Sequence, residues 1–320
     1  MTSFRVGVCG LGQVALTRYI PLLEAHGAEI TAVADASSAA RMTAGGLGWA
    51  TYDSLSALLS AGDIDLIAIL TPGLSHSGLV ELSLRHGVHT YCEKPLAYDA
   101  HRCHQLFDLA ETNGAALVSA PAFGKSPALR AQGIGEAAGA TIAHARCVEP
   151  GPGRSPWFQG DPTHYYEPAA RGCLYDLGIY GVDVLVHLFG LDAEVVAAAR
   201  SQQAQPTGSS WTALLRWPHG TVASLDVSWD GGGGAPSVTW CSSEETARVA
   251  LWGLASPDGV QRWDVGTSPP ELPVPDFAGP TVGWGIGWML DAIREGAVPS
   301  SRAQTCAVID VLDRVWTAAS

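Results

Sequence analysis

Six residues near the start of the chain, Gly10-Leu11-Gly12-Gln13-Val14-Ala15, have the types and spacing to hold a pyrophosphate. The first glycine permits a tight turn, the second lets backbone approach the phosphates, and a small third residue, here Ala15, lets the next helix pack on its strand. Backbone N–H groups opening that helix supply the anion-binding dipole. Asp35 follows about 20 residues later, where a carboxylate accepts the ribose hydroxyls of adenosine and repels a 2′-phosphate. Together these predict a nicotinamide dinucleotide, NAD in preference to NADP, with Ser37, Ser38 and Arg41 close enough to soften that preference. A second set lies far along the chain. Asp176, Tyr180, Asp183 and His187 recur at intervals of four, three and four, which places four polar, titratable groups on one face of a helix. A merely solvated face would be richer in Lys and Glu, although Asp183 and His187 also fit a structural role.

The elements around the first set are β-α units. Val6 to Cys9, Ile30 to Ala34, Ile64 to Leu70, Val88 to Cys92 and Ala116 to Val118 read as buried parallel strands. Helical patterns lie between them near 14–25, 53–61, 76–86 and 99–113. This is α/β grammar, and it predicts a Rossmann doubly wound parallel sheet over residues 1–120. After Pro121 the pattern changes. A long helix from about Leu174 to Phe189 precedes strand-like runs at 211–217, 221–229, 237–242, 246–252 and 259–265, with a hairpin turn at Pro218-His219-Gly220. A proline-rich loop over 266–283 and helices near 284–295 and 302–318 close the chain. Residues 121–320 therefore read as an α+β domain with a mostly antiparallel open sheet. Leu174, Leu177, Val184, Leu185 and Leu188 would cover the rest of its long helix against a core.

Composition narrows the partners. The 320 residues carry 18 Lys+Arg against 31 Asp+Glu, a formal net charge of -13, which repels nucleic-acid backbones and anionic lipid alike. No uncharged apolar run approaches the ~18 residues of a membrane span. The start, Met1-Thr2-Ser3-Phe4-Arg5, leads into a strand without a signal-peptide layout, and the seven cysteines are scattered and never spaced C-x-x-C. A cytoplasmic protein with small buried cysteines is expected. The pairs His86/His89 and His101/His104 lack a nearby third ligand, so no metal is expected.

Thr71-Pro72 with His76, and Glu93-Lys94-Pro95, follow the glycine turn in the order and spacing of the Gfo/Idh/MocA family (glucose-fructose oxidoreductase, inositol dehydrogenase, rhizopine catabolism), and the chain resembles that family over most of its length. The resemblance implies that Lys94 is catalytic, that Thr71, Pro72, His76 and Glu93 lie along the cofactor, and that the Lys94–Pro95 peptide is cis. Gly172 to Asp183 is similar to the family's G-G-x-L-x-D-x-G-x-H-x-x-D helix, with Arg171 in place of a glycine and Tyr180 in place of the histidine, as in its tyrosine-containing branches.

Oxidation of a carbinol needs a base for the hydroxyl proton while hydride leaves for the nicotinamide, and reduction needs the matching acid. A phenol with a pKa near 10 is a poor base at neutral pH, and an adjacent ammonium improves it by stabilising phenolate. Tyr180 is thus expected to exchange the proton with Lys94 as its electrostatic partner, or Lys94 to exchange it directly, with Asp176 orienting substrate or lysine. Trp157 and Arg171, within the aromatic segment 154–171, and Lys125 are candidate substrate contacts for a sugar-like ring. The family usually pairs through the sheet of its second domain, and a strand set carrying Trp211, Trp217, Trp229, Trp240 and Trp252 would expose large aromatics if one face were bare. A homodimer or homotetramer is expected. The function expected is an NAD(P)-dependent oxidoreductase of a sugar, cyclitol or related alcohol; a cofactor-binding sensor or co-repressor and an NAD-dependent glycosidase are the alternatives on this fold.

Overall fold

The computed structural model describes residues 4–130, 136–154, 161–201, 210–231, 236–251, 260–264, 267 and 283–319. The chain divides into two compact units, Met1–Pro121 with Val282–Arg302 and Ala122–Thr281 with Ala303–Ser320.

The first unit is a six-stranded parallel sheet in the order β3-β2-β1-β4-β5-β6. Its strands are β1 (Phe4–Cys9), β2 (Ala28–Ala34), β3 (Ala50–Tyr52), β4 (Leu66–Ile69), β5 (His89–Cys92) and β6 (Leu117–Ser119). Leu66, Ile67, Ala68 and Ile69 are all fully buried, as a central strand covered on both faces must be. Between the strands run a π-turn at Ala15–Tyr19 that continues as α1 (Ile20–Ala25), then α2 (Ser38–Gly46), α3 (Leu55–Ala61), α4 (His76–Arg85) and α5 (Ala100–Thr112). Ser37, Ser54 and Asp99 cap α2, α3 and α5 by accepting from backbone N–H groups of their first turns. The strand order reverses between β1 and β4, so the loops that leave β1, β4 and β5 crowd one end of the sheet. In open α/β sheets that end carries the ligand.

In the second unit a seven-stranded sheet runs β13-β12-β11-β7-β10-β9-β8, antiparallel except where β7 and β10 pair in parallel. Its strands are β7 (Ile142–Val148), β8 (Glu194–Arg200), β9 (Ser210–Arg216), β10 (Val222–Ser228), β11 (Ser237–Cys241), β12 (Glu245–Ala250) and β13 (Val260–Asp264). A short α6 (Pro127–Arg130) precedes the sheet, and a π-turn at Leu174–Gly178 leads into α7 (Ile179–Phe189). Leu174, Leu177, Val184, Leu185 and Leu188 are buried, as the helical pattern predicts. The apolar stretch Pro168–Phe189 is long enough to cross a membrane by composition alone, but 89% of its most apolar window is buried in the protein, which marks it as a core helix. After β13 come α8 (Trp284–Arg294), whose Ile286, Met289 and Leu290 join the core of the first unit, and α9 (Arg302–Ala318).

Three strands were not read from the sequence: β3, β7 and β8. For β7, which lies in the middle of its sheet, the reason is packing. Its inward residues are Ala143, Ala145 and Cys147, small because α7 comes so close that a Cβ on Gly181 would stand 2.8 Å from Cys147 Sγ and 3.2 Å from Ala145 Cβ. Close helix–sheet approach replaces the large β-branched residues that signal a strand. The expectation of a bare aromatic face is also corrected. Trp211, Trp217, Trp229 and Trp240 all lie on the inward face and are at most 5% exposed. The outward face is polar, with Asp226 receiving both His144 Nε2 and Thr212 Oγ1, and Arg216 paired with Glu194. Trp252 lies outside the described residues. Six of the seven cysteines are buried.

Candidate active site

The glycine turn divides its work between the protein and a ligand. Gly10 has φ +91°, and a Cβ there would stand 2.8 Å from the backbone nitrogen of Thr71, so the fold itself demands glycine. Gly12 has nothing within 4 Å of its Cβ position. Its open side, flanked by exposed Gln13 and Val14, fits the approach of a pyrophosphate, while Ala15 is buried against the sheet. Asp35 directly follows β2, and its carboxylate accepts the N–H of Leu11 at 2.8 Å and of Ser37 at 2.7 Å. It therefore ties the phosphate turn to the next loop, besides standing where a ribose would lie. Arg41 donates to the carbonyls of Asp35 and Ala36, which sets a cation in the same loop.

Two further turns complete this end of the sheet. Buried His76 stands 2.7 Å from the Thr71 carbonyl through Nε2 and 2.8 Å from the Pro95 carbonyl through Nδ1. The ring donates to one carbonyl when neutral and to both when protonated, and burial holds its pKa below the ordinary histidine value. Ser75 Oγ bonds both the Pro72 carbonyl and Thr71 Oγ1. Beyond β5, Glu93 accepts the Lys94 N–H at 2.7 Å through one carboxylate oxygen and the Tyr19 hydroxyl at 2.5 Å through the other. The Lys94–Pro95 peptide is cis, as the resemblance implies, and Ala120–Pro121 is a second cis bond. Gly10, Thr71, Glu93 and Lys94 thus come together on three adjacent turns. A nicotinamide dinucleotide fits this set, held by the Gly10–Ala15 turn, Asp35 and the turns that carry Thr71 and Lys94.

The second unit holds the phenol. Tyr180 is half-buried on α7, with its ring stacked on Phe123 at 5.5 Å and 18°. Asp176, one turn earlier and also half-buried, accepts the indole N–H of Trp229 at 3.0 Å. The polar stripe then goes under cover. Asp183 is buried and accepts the Phe123 N–H at 2.8 Å and the Gln304 amide at 3.1 Å. His187, also buried, fills the space where Gly124 would carry a Cβ, 2.4 Å from its Nδ1. Both hold the Phe123–Lys125 turn against α7, and Phe123 in turn backs the Tyr180 ring. Lys125 is half-buried in that turn, its pKa lowered by burial with Arg130 adding to the effect. Arg171 is tied to Asp313 at 2.6 Å and to the Tyr175 hydroxyl at 2.9 Å, with its guanidinium over the Tyr175 and Trp316 rings. Trp157 lies outside the described residues.

Sequence reasoning missed Tyr19 and Phe123. Both look like core aromatics, and nothing in their spacing reveals the polar or stacking partner. One available signal went unread: Lys94 and Lys125 are the only two lysines in the chain, beside 16 arginines.

Two family models match the sequence. One, described as "Oxidoreductase family, NAD-binding Rossmann fold", covers residues 4–120; the other, the "GFO/IDH/MocA C-terminal domain", covers 128–249. Among curated proteins, the dTDP-3,4-didehydro-2,6-dideoxy-alpha-D-glucose 3-reductase of Streptomyces antibioticus is 32% identical over 69% of this chain and 68% of its own length. The enzyme of the same name from Streptomyces violaceoruber is 31% identical over 84% of this chain and 75% of its own length. Among solved structures, a 3-ketoreductase from Actinomadura kijaniata in complex with NADP and TDP-benzene superposes with a TM-score of 0.81 at 24% identity, over 99% of this chain and 98% of that one.

Proposed function

The chain belongs to the Gfo/Idh/MocA family and is an NAD(P)-dependent oxidoreductase of CH–OH and C=O groups on sugar-like substrates; from that premise we propose that it acts on a keto-sugar carried by a nucleoside diphosphate, with Tyr180 as proton donor and Lys94 as its electrostatic partner. The substrate class is supported by the two Streptomyces relatives, both named as reductases of a dTDP-linked keto-sugar. When bound, the nicotinamide supplies or accepts the hydride. The remaining work falls to side chains. A ketone accepting hydride gains negative charge on its oxygen, and a phenol within hydrogen-bond reach delivers the proton that neutralises it. The Lys94 ammonium stabilises the phenolate left behind and binds the substrate oxygen, and Asp176 orients a substrate hydroxyl.

The observation that carries this assignment is the contrast along one helix: Tyr180 and Asp176 stay half-exposed, while Asp183 and His187 are buried in main-chain contacts. Phe123 fixes the Tyr180 ring by stacking, the pre-organisation a proton donor needs. We assign Arg171 to holding α9 through Asp313, and Lys125 to the turn that backs Tyr180. Self-association is expected through the outward face of the second sheet, where Ile142, Val196 and Leu214 stand exposed among Thr and Ser residues, in a soluble, cytoplasmic enzyme.

The test is single-turnover hydride transfer with a panel of dTDP- and UDP-linked keto-sugars, free sugars and inositols. Tyr180→Phe should slow the transfer roughly 100-fold or more, and Lys94→Met at least as much. Full activity in Tyr180→Phe eliminates the phenol as acid; turnover confined to free sugars or inositols eliminates the nucleotide-linked substrate.

A further inference from the structure

Tyr19 is fully buried, and it is not a spectator of the core. It sits at the end of the π-turn that follows the glycine turn, seven residues beyond Gly12. A buried phenol must find a partner, and its hydroxyl donates to Glu93 Oε1 at 2.5 Å, with the Tyr91 hydroxyl 3.2 Å away. A hydrogen bond to a carboxylate is short and strong, and the phenol side of this one is walled by the fully buried Tyr91 ring, 5.6 Å away, in the core cluster to which both tyrosines belong. Burial and the neighbouring Glu93 both push the Tyr19 phenol well above its ordinary pKa, so it remains a donor throughout the working pH range.

The carboxylate has a second task. Its other oxygen takes the main-chain N–H of Lys94 at 2.7 Å, and the main-chain N–H of Glu93 itself donates to the Ile69 carbonyl at 2.9 Å. On the far side of the lysine, His76 holds the Pro95 carbonyl. The Lys94 backbone is therefore gripped before and after. One of those grips leads, through a single carboxylate, to the same turn of helix that begins at the pyrophosphate loop.

We propose that Tyr19 is a positioning residue for the reaction: acting through Glu93, it fixes the Lys94 main chain relative to the glycine turn, so that the dinucleotide and the lysine are registered to each other by one hydrogen-bonded path. This rests on the reading of Lys94 as catalytic. It goes beyond that reading because it assigns Glu93 to the lysine's backbone rather than to the cofactor. It also gives a core aromatic an effect on rate.

The experiment compares Tyr19→Phe, Glu93→Gln, the double variant, Lys94→Met and a stability control, Ser83→Ala. Ser83→Ala deletes a different buried hydroxyl bond, 2.9 Å to Thr90 on β5, outside the site. Tyr19→Phe should lower kcat roughly tenfold, since small misplacements of a reacting group are costly, while the Kd for NADH and NADPH from fluorescence titration stays within about twofold. Ser83→Ala should lower Tm comparably and leave kcat unchanged. Glu93→Gln, which cannot accept at both ends, should reproduce the loss, and the double variant should be no slower than Glu93→Gln alone.

A readout independent of turnover comes from the two lysines. With NADH bound, acetylation of Lys94 by acetic anhydride, measured against Lys125 by mass spectrometry, should be several-fold faster in Tyr19→Phe than in the native protein. A Tyr19→Phe variant with lowered Tm but native kcat and native Lys94 labelling would reduce Tyr19 to a structural role and overturn the proposal. So would losses that multiply in the double variant. If Lys94→Met is inactive while Tyr19→Phe is fully active, the positioning role alone fails. Turnover by Lys94→Met would remove the catalytic assignment and this proposal with it.

Discussion

Asp183 offers a pH test of how the second unit holds the turn behind Tyr180, the proposed proton donor. Burial pushes its carboxyl up from an ordinary value of 3.8 to about 6, against the opposing hydrogen bonds from the Phe123 N–H and the Gln304 amide. The folded protein therefore keeps this proton more tightly than the unfolded chain does. Its contribution to stability is greatest below the unfolded value and is lost as pH rises through the folded one. The full loss is about 3 kcal/mol, of which about 1 kcal/mol falls between about pH 5 and about pH 7. Asp183→Asn keeps the shape and an oxygen for the Phe123 N–H but cannot ionise. Urea unfolding of both proteins across that range should show native stability falling relative to the variant by about 1 kcal/mol as pH rises. Buried His76 and His187 and half-buried His89, whose pKa values are lowered by desolvation, push the other way, since they favour the folded state as pH rises. They are present in both proteins and cancel in the difference. A native-minus-variant difference that is flat, or that grows with pH, would refute a buried, proton-retaining Asp183.

Two more outcomes follow from particular contacts. Asp35→Ala should raise the NADP-to-NAD ratio of kcat/KM by about tenfold or more, because it removes a charge repelling a 2′-phosphate and leaves Arg41 in the same loop, while loss of the Leu11 and Ser37 contacts lowers Tm. Light scattering at micromolar concentration should give a dimer or tetramer, and Leu214→Glu on the outward sheet face should shift it to monomer; a native monomer ends the pairing argument.

The parallel sheet was legible because its signals are local. A glycine turn follows a buried strand, and β1, β2 and β4 carry enough Val, Ile and Leu to stand out, whereas β3, Ala50–Tyr52, carries none and was not read. The Lys94 turn was legible through family resemblance, and its cis peptide came with it. Strand β7 was not. Its inward alanines answer to Gly181 on a helix more than 30 residues later, and no window of sequence contains both sides of that contact. The Asp176–His187 stripe was legible as a stripe. Helical spacing states which residues share a face, but not that the 122–130 segment lies over half of it.

Burial is what sorts such a stripe into chemistry and support. A polar group shut away from water must be satisfied inside the protein, and once satisfied it cannot turn to a ligand without leaving a partner unpaired. His76, Asp183 and His187 are each under 7% exposed, and each faces main-chain groups of a neighbouring segment, the Thr71 and Pro95 turns, the Phe123 turn and α6 respectively. Lys94, Asp176 and Tyr180 are half-exposed and sit next to the turns so held. The same pattern of residue types therefore contains two populations, and the buried one defines where the accessible one can stand. On this argument a substitution at Asp183 or His76 acts on rate only through the geometry of Tyr180 or Lys94. It should alter kcat without introducing a new ionisation into the pH–rate profile, whereas a substitution at Tyr180 or Lys94 should remove one.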